Sequence, residues 1–132
     1  MSQKNIKNIL NAFDSGQFKE AIILVDVLLK NFPNDPVLFN IRGACNEGLK
    51  NYHDAVKDYK KAISFDKNYY KAFYNLAGAF QKLGKFESAI EFYIKSIKIN
   101  PSYPSSHNNL GNLYNEIEEY EKAINCFENA FQ

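Results

Sequence analysis

YKAFYNLAGAFQKLGKFESAIEFYIKSIKINPSY, residues 70–103, carries two apolar stripes separated by a glycine. Phe73, Leu76, Ala77 and Phe80 recur at spacings of three and four, the period of one helix face, and Phe86, Ala89, Ile90, Tyr93 and Ile97 repeat the pattern beyond Gly84. Two amphipathic helices joined by a short turn make a helical hairpin. Ala77, Ala89 and Ser96 are small where two such helices cross most closely, which leaves the aromatic rings to fill the space between successive hairpins.

The stretch is one row of a longer pattern. Rows of 34 residues set from Ser2 place alanine at Ala21, Ala55, Ala89 and Ala123 without a gap, and an aromatic three residues earlier at Phe18, Tyr52, Phe86 and Tyr120. Further columns hold Gly43, Ala77 and Gly111, and Leu28, Ala62, Ser96 and Ala130. Pro36 and Pro104 suit the first turn of a helix, where the missing N–H costs no bond, and Asp35 stands where a cap belongs. Repetition at this period predicts stacked supersecondary units. The expected fold is all-α: a right-handed α-solenoid of four hairpins and eight helices. The expected organisation is one domain, 1–132, with repeats 2–35, 36–69, 70–103 and an incomplete 104–132.

These columns resemble the tetratricopeptide repeat (TPR) family, and the resemblance covers the whole chain. Residues 70–103 match its pattern closely, and residues 104–132 match through His107, Leu110, Gly111, Tyr114, Tyr120, Ala123, Phe127 and Ala130. Departures are Arg42 at a leucine place, Lys67 at a proline place, Glu118 at the turn glycine, and Asn5 and Asn8 at places usually apolar. In the first row Ile6, Ile9, Leu10 and Phe13 keep helical spacing but stand one place off the expected stripe. That offset predicts a following turn one residue shorter and a first helix packed inward; the unshifted register would put the same residues in the groove.

The resemblance implies a protein-interaction scaffold whose concave groove, lined by the first helix of each hairpin, binds an extended or helical peptide. The groove places are the second, fifth, sixth, ninth, twelfth and thirteenth of each row. They supply Lys71, Tyr74, Asn75, Gly78, Gln81 and Lys82 from one row and Ser105, Asn108, Asn109, Asn112, Asn115 and Glu116 from the next. An asparagine amide both donates and accepts, so a row of them can pair with a peptide backbone whatever its side chains. Asn75 and Asn109 share the sixth place and resemble the asparagine ladder in the repeat arm of protein O-glycosyltransferases, though Ile41 interrupts it. The chain's richness in Asn, 17 residues, offers a compositional explanation of the same amides. The carboxylate clamp of chaperone-binding members is incomplete, since Ile41 and Asn75 stand at two of its places. The alternative function is a targeting or regulatory arm of a larger enzyme, of transferase or hydroxylase type.

Other classes find little support. His53 and His107 are not aligned with Cys45 or Cys126 as base and nucleophile, no phosphate loop or paired metal ligands stand out, and the chain is expected to be no enzyme and to hold no cofactor or metal. The formal net charge is +1, and the basic residues of the outer helices are interleaved with acids, which argues against nucleic acid as a partner. No apolar run approaches the roughly 18 to 20 residues that span a bilayer. Two cysteines without metal or disulfide spacing fit a reducing compartment, read as cytoplasmic. Residues 36–103 carry 11 basic and 6 acidic side chains and 104–132 carry 1 and 5. The last row stops five places short of 34, with Leu113, Tyr114, Phe127 and Phe131 near its end. That predicts either a piece of a longer chain or self-association through the C-terminal repeat.

Overall fold

A computed structural model of the protein describes residues 2–131. Among them are eight helices and no strand: α1 (Gln3–Asp14), α2 (Phe18–Asn31), α3 (Pro36–Gly48), α4 (Tyr52–Phe65), α5 (Tyr70–Lys82), α6 (Phe86–Ile99), α7 (Pro104–Glu116) and α8 (Tyr120–Ala130). They form hairpins of the α-solenoid kind, grouped in two compact units, Met1–Lys67 and Asn68–Gln132.

Every hairpin is closed by the same three-residue turn. The residue at its centre, Gly16, Lys50, Gly84 or Glu118, has φ of 75, 63, 75 or 65°. The next N–H reaches back five residues, Gln17 to Ala12, Asn51 to Asn46, Lys85 to Phe80 and Glu119 to Tyr114, at 2.8 to 2.9 Å. This is the Schellman ending of a helix, which satisfies an otherwise orphaned carbonyl and favours glycine at the left-handed residue. Lys50 and Glu118 carry a Cβ there, at a cost of about 1 kcal/mol each. Lys50→Gly and Glu118→Gly are therefore expected to raise stability by up to about 1 kcal/mol, read as a higher urea midpoint, while Gly84→Ala should lower it by a similar amount.

The alanine column lies at the closest helix approach: Ala21, Ala55, Ala89 and Ala123 are all essentially inaccessible. In the first unit α2 lies between α1 and α3. Ile9, Val25, Leu28 and Leu38 form one apolar cluster, with Ile6, Leu24, Leu29 and Ile41 against it. Ala12, Ala21 and Cys45 form another, with Phe13, Phe18 and Ile22 against it. Asp35 caps α3 as expected, its Oδ1 accepting from the Val37 N–H at 2.8 Å ahead of Pro36.

The turn after α1 is no shorter than the others, so the first helix keeps the 34-residue register and the expected one-place shift does not occur. Ile9 and Ala12 carry the burial, Ile6 and Phe13 lie half-buried against the two clusters, and Leu10 is exposed. The helix still packs inward. Asn5 and Asn8 occupy the places that hold Phe73 and Leu76 in α5, and both are exposed, so apolar side chains there would stand in water.

Two departures from the apolar pattern explain one another. Arg42, at a place held by Leu76 and Leu110 in later rows, donates through Nε and Nη2 to Asp58 Oδ1 at 3.0 and 2.8 Å and through Nη1 to Asp26 Oδ1 at 2.8 Å. Asp58 is only 5% exposed and stands where other rows have Leu24, Phe92 and Cys126. Asn46 donates to its second oxygen at 2.9 Å. The second row has thus exchanged an apolar contact for a satisfied ionic one, which ties α2, α3 and α4 together.

In the second unit the corresponding face is aromatic. Phe92 stacks on Phe80 and Phe73, with ring centroids 5.6 and 6.2 Å apart. Buried Ser96 donates to the Tyr70 carbonyl at 3.0 Å, which spends its one hydrogen, so Ser106 must be the donor across the 2.7 Å contact between the two hydroxyls. This pair fastens the start of α7 to α6.

Candidate functional site

The candidate groove residues of the second unit lie on α5 and α7, which touch directly as well as through α6. Lys71 and Lys82 are exposed near the two ends of α5, and Asn75 is half-buried between them. On α7, Ser105, Asn108 and Asn109 are half-buried, and Asn112 and Asn115 are exposed. Asn108, Asn112 and Asn115 follow at intervals of four and three, which sets three amides along one side of the helix.

Two candidates are joined to each other. Asn109 donates from Nδ2 to the Tyr74 hydroxyl at 2.8 Å, linking α7 to α5. The Tyr74 ring is itself held edge-on by Tyr103, at 5.4 Å, and tilted against Tyr93, at 6.1 Å. Tyr70 meets Tyr103 edge-on at 5.1 Å. Tyr74 is thus a fixed member of a four-tyrosine cluster rather than a mobile apolar contact, while the Asn109 side-chain carbonyl remains an acceptor.

Gln81 makes the second cross-link. Its carbonyl accepts from Tyr93 Oη at 2.9 Å and its amide donates to Glu116 Oε1 at 3.1 Å, so α5, α6 and α7 share one chain of polar contacts. The first unit has the counterpart of its first half, Tyr59 Oη donating to Glu47 Oε1 at 2.6 Å. Tyrosine at the core place and a polar partner 12 residues earlier is the signal in both rows. In the last row Phe127 and Asn115 occupy these columns, so no hydroxyl reaches Asn115.

Of the two histidines and two cysteines, three are buried packing residues. His107 is buried, with Nε2 2.9 Å from the Pro101 carbonyl, and His53 is exposed. Cys45 is fully buried, and burial together with Asp58 pushes its thiol up to about 11, away from the range where a thiolate attacks. Cys126 is buried too, and its thiol is also raised by burial. Among the described residues no helix is long and apolar enough to cross a membrane.

Comparison with known proteins agrees with this geometry. The tetratricopeptide repeat pattern matches residues 70–103 and 104–132, and a TPR repeat pattern matches 49–84. Together they cover more than half of the chain. No curated protein matches it. Among solved structures, a crystal structure of MamA aligns with a TM-score of 0.86 at 23% identity, over 96% of this chain and 74% of that one. The 41-end segment of MamA from Desulfovibrio magneticus RS-1 aligns at 0.85 and 20% identity, over 96% and 72%. At such identities the likeness is one of fold. Column spacing, turn geometry and matched patterns agree that the chain belongs to the tetratricopeptide repeat family.

Proposed function

We propose that this protein-interaction scaffold binds an extended peptide along the α5 and α7 surface of its second unit, in a reducing compartment such as the cytoplasm. The observation that carries the reading is the line of amides on α7. Asn112 and Asn115 are exposed and Asn108 partly so, on one side of a helix that is fixed to α5 and α6 by the Tyr74, Gln81 and Ser96 contacts. Side chains held on a rigid framework lose little freedom when a ligand docks, and amides that both donate and accept suit a peptide backbone. Asn75 and Asn109 extend the line across to α5, and Lys71 and Lys82 favour acidic side chains near its ends.

Peptides selected from a random phage-displayed library against the native chain provide the probe. Replacing Asn75, Asn109 and Asn112 together by alanine is expected to weaken the selected peptides about tenfold or more in fluorescence anisotropy, with the helical circular dichroism retained. Unchanged affinity in the triple variant would show that Asn75, Asn109 and Asn112 do not form the binding surface.

A further inference from the structure

The groove places of the first unit differ in chemistry from those of the second. Because α1 keeps the 34-residue register, Ile6, Leu10 and Phe13 stand at the fifth, ninth and twelfth places of their row, and α3 adds Val37, Ile41 and Ala44 at the second, sixth and ninth. At the same places α5 and α7 hold no Ile, Leu, Val or Ala. Ile41 packs against both apolar clusters of the first unit, Ile6 against one and Phe13 against the other, so α1 and α3 share a half-buried apolar floor. Leu10 and Val37 rise from it, each 41% exposed.

Neighbouring hairpins do not close these places. With α2 stacked on α3, Val37 and Gly48 are exposed and Ala44 is half-buried; with α6 stacked on α7, Asn112 and Asn115 are exposed. With α7 beyond α5, Lys71 and Lys82 are exposed. A helix stacked in either of these ways against α1 or α3 would therefore leave Leu10 and Val37 open.

Spacing and backbone chemistry select the occupant. Ile6, Leu10 and Phe13 follow at intervals of four and three, as do Val37, Ile41 and Ala44, so α1 and α3 carry matching apolar ridges about two turns long. A third helix can lay a ridge of the same spacing between them. An extended peptide would bring its backbone N–H and C=O groups to an apolar floor, whereas a helix satisfies its own. Charge gives the floor two different ends. Lys4 and Lys7, both exposed, stand toward the start of α1, while exposed Asp14 ends α1 and Glu47, which accepts from Tyr59 Oη, stands near the end of α3.

We infer that the first unit binds, between α1 and α3, an amphipathic helix of a partner protein. That helix presents apolar side chains at intervals of four and three, acids at the end that meets Lys4 and Lys7, and bases at the end that meets Asp14 and Glu47. The site shares no residue with the amide surface of α5 and α7.

The test uses the whole chain and three labelled Leu/Ala helices of about 15 residues in fluorescence anisotropy, one with Glu at one end and Lys at the other, one with Glu at both ends and one with Lys at both. The mixed helix is expected to bind about fivefold or more tightly than either of the others. Leu10→Ser combined with Val37→Ser, at exposed positions that leave the circular dichroism unchanged, should weaken it about tenfold. Lys4→Glu combined with Lys7→Glu should transfer the preference to the helix with Lys at both ends. The Asn75, Asn109 and Asn112 alanine variant should bind the mixed helix as the native chain does. Absence of binding by all three helices, equal binding by the double-serine chain, or a preference that the glutamates leave in place overturns the inference. Loss of binding in the alanine variant also overturns it, because the helix would then lie on the amide surface. So does a dimer in sedimentation equilibrium that the serines dissolve, because the floor would then belong to a second copy.

Discussion

Arg42→Leu is expected to destabilise the protein by about 3 kcal/mol, although leucine is the residue that later rows hold at this place. Two effects oppose each other. Leucine restores the column habit of Leu76 and Leu110 and adds apolar burial of about 1.5 kcal/mol or more. Against that, Asp58, 5% exposed, loses two of its three donor contacts and keeps only Asn46. A buried carboxylate left without its cation costs more than one leucine returns. The double replacement Arg42→Leu with Asp58→Leu removes both charges and supplies the leucine that the first row has at Leu24. It should lie within about 1 kcal/mol of the native chain, which makes the coupling between the two positions at least about 2 kcal/mol. Urea unfolding of the native chain, of Arg42→Leu and Asp58→Leu singly, and of the double variant measures this directly. Equal midpoints for the Arg42→Leu and double variants would mean that Asp58 does not depend on Arg42.

Tyr93→Ala carries the largest expected loss in the second unit, about 4 kcal/mol. The side chain is 1% exposed, its ring lies against Tyr74, and its hydroxyl holds Gln81. Truncation would leave a ring-sized cavity that neighbours fixed in helices cannot fill. Tyr93→Phe separates the contributions: it keeps the ring and drops only the hydroxyl, as Phe127 does in the next row. Its cost should be about 1 kcal/mol, because the Gln81 carbonyl is half-exposed and can turn to water. The two variants compared by urea unfolding decide between ring burial and hydrogen bonding; similar losses in both would favour the bond.

The fold was legible because a period of 34 fixes which residues share a place, and because alanine at every row marks where helices meet. Asp35 and Pro36 announced the start of α3 by local chemistry alone. The first helix was misread for a physical reason. Ile6, Leu10 and Phe13 keep helical spacing, but spacing does not tell which side of a helix meets its partner. The turn geometry around Gly16, not the apolar pattern, sets the register. The ionic cluster is half visible in the sequence: Arg42 departs from its apolar column, whereas an acid on an outer helix looks like any solvated residue, and only the fold brings Asp58 to Arg42. Within the candidate site, the columns name positions on α5 and α7 but not the bonds between them. Tyr74 and Asn109 lie 35 places apart, and nothing in a list of groove positions says that they would satisfy each other.

The Arg42 cluster also limits how this chain can be rearranged. Its three charged members come from consecutive rows: Asp26 precedes the second hairpin, while Arg42 and Asp58 lie within it. Hairpins of a repeat protein are often regarded as exchangeable bricks, each ready to follow any other. Here the second brick is keyed to the first. Moved behind a row that offers Lys60 or Ile94 at the place of Asp26, it would bring its guanidinium to a neighbour without the matching acid. A gene carrying these rows in shuffled order would thus encode the same helices and lose one of the contacts that stack them, so the order of the repeats is written into their charges.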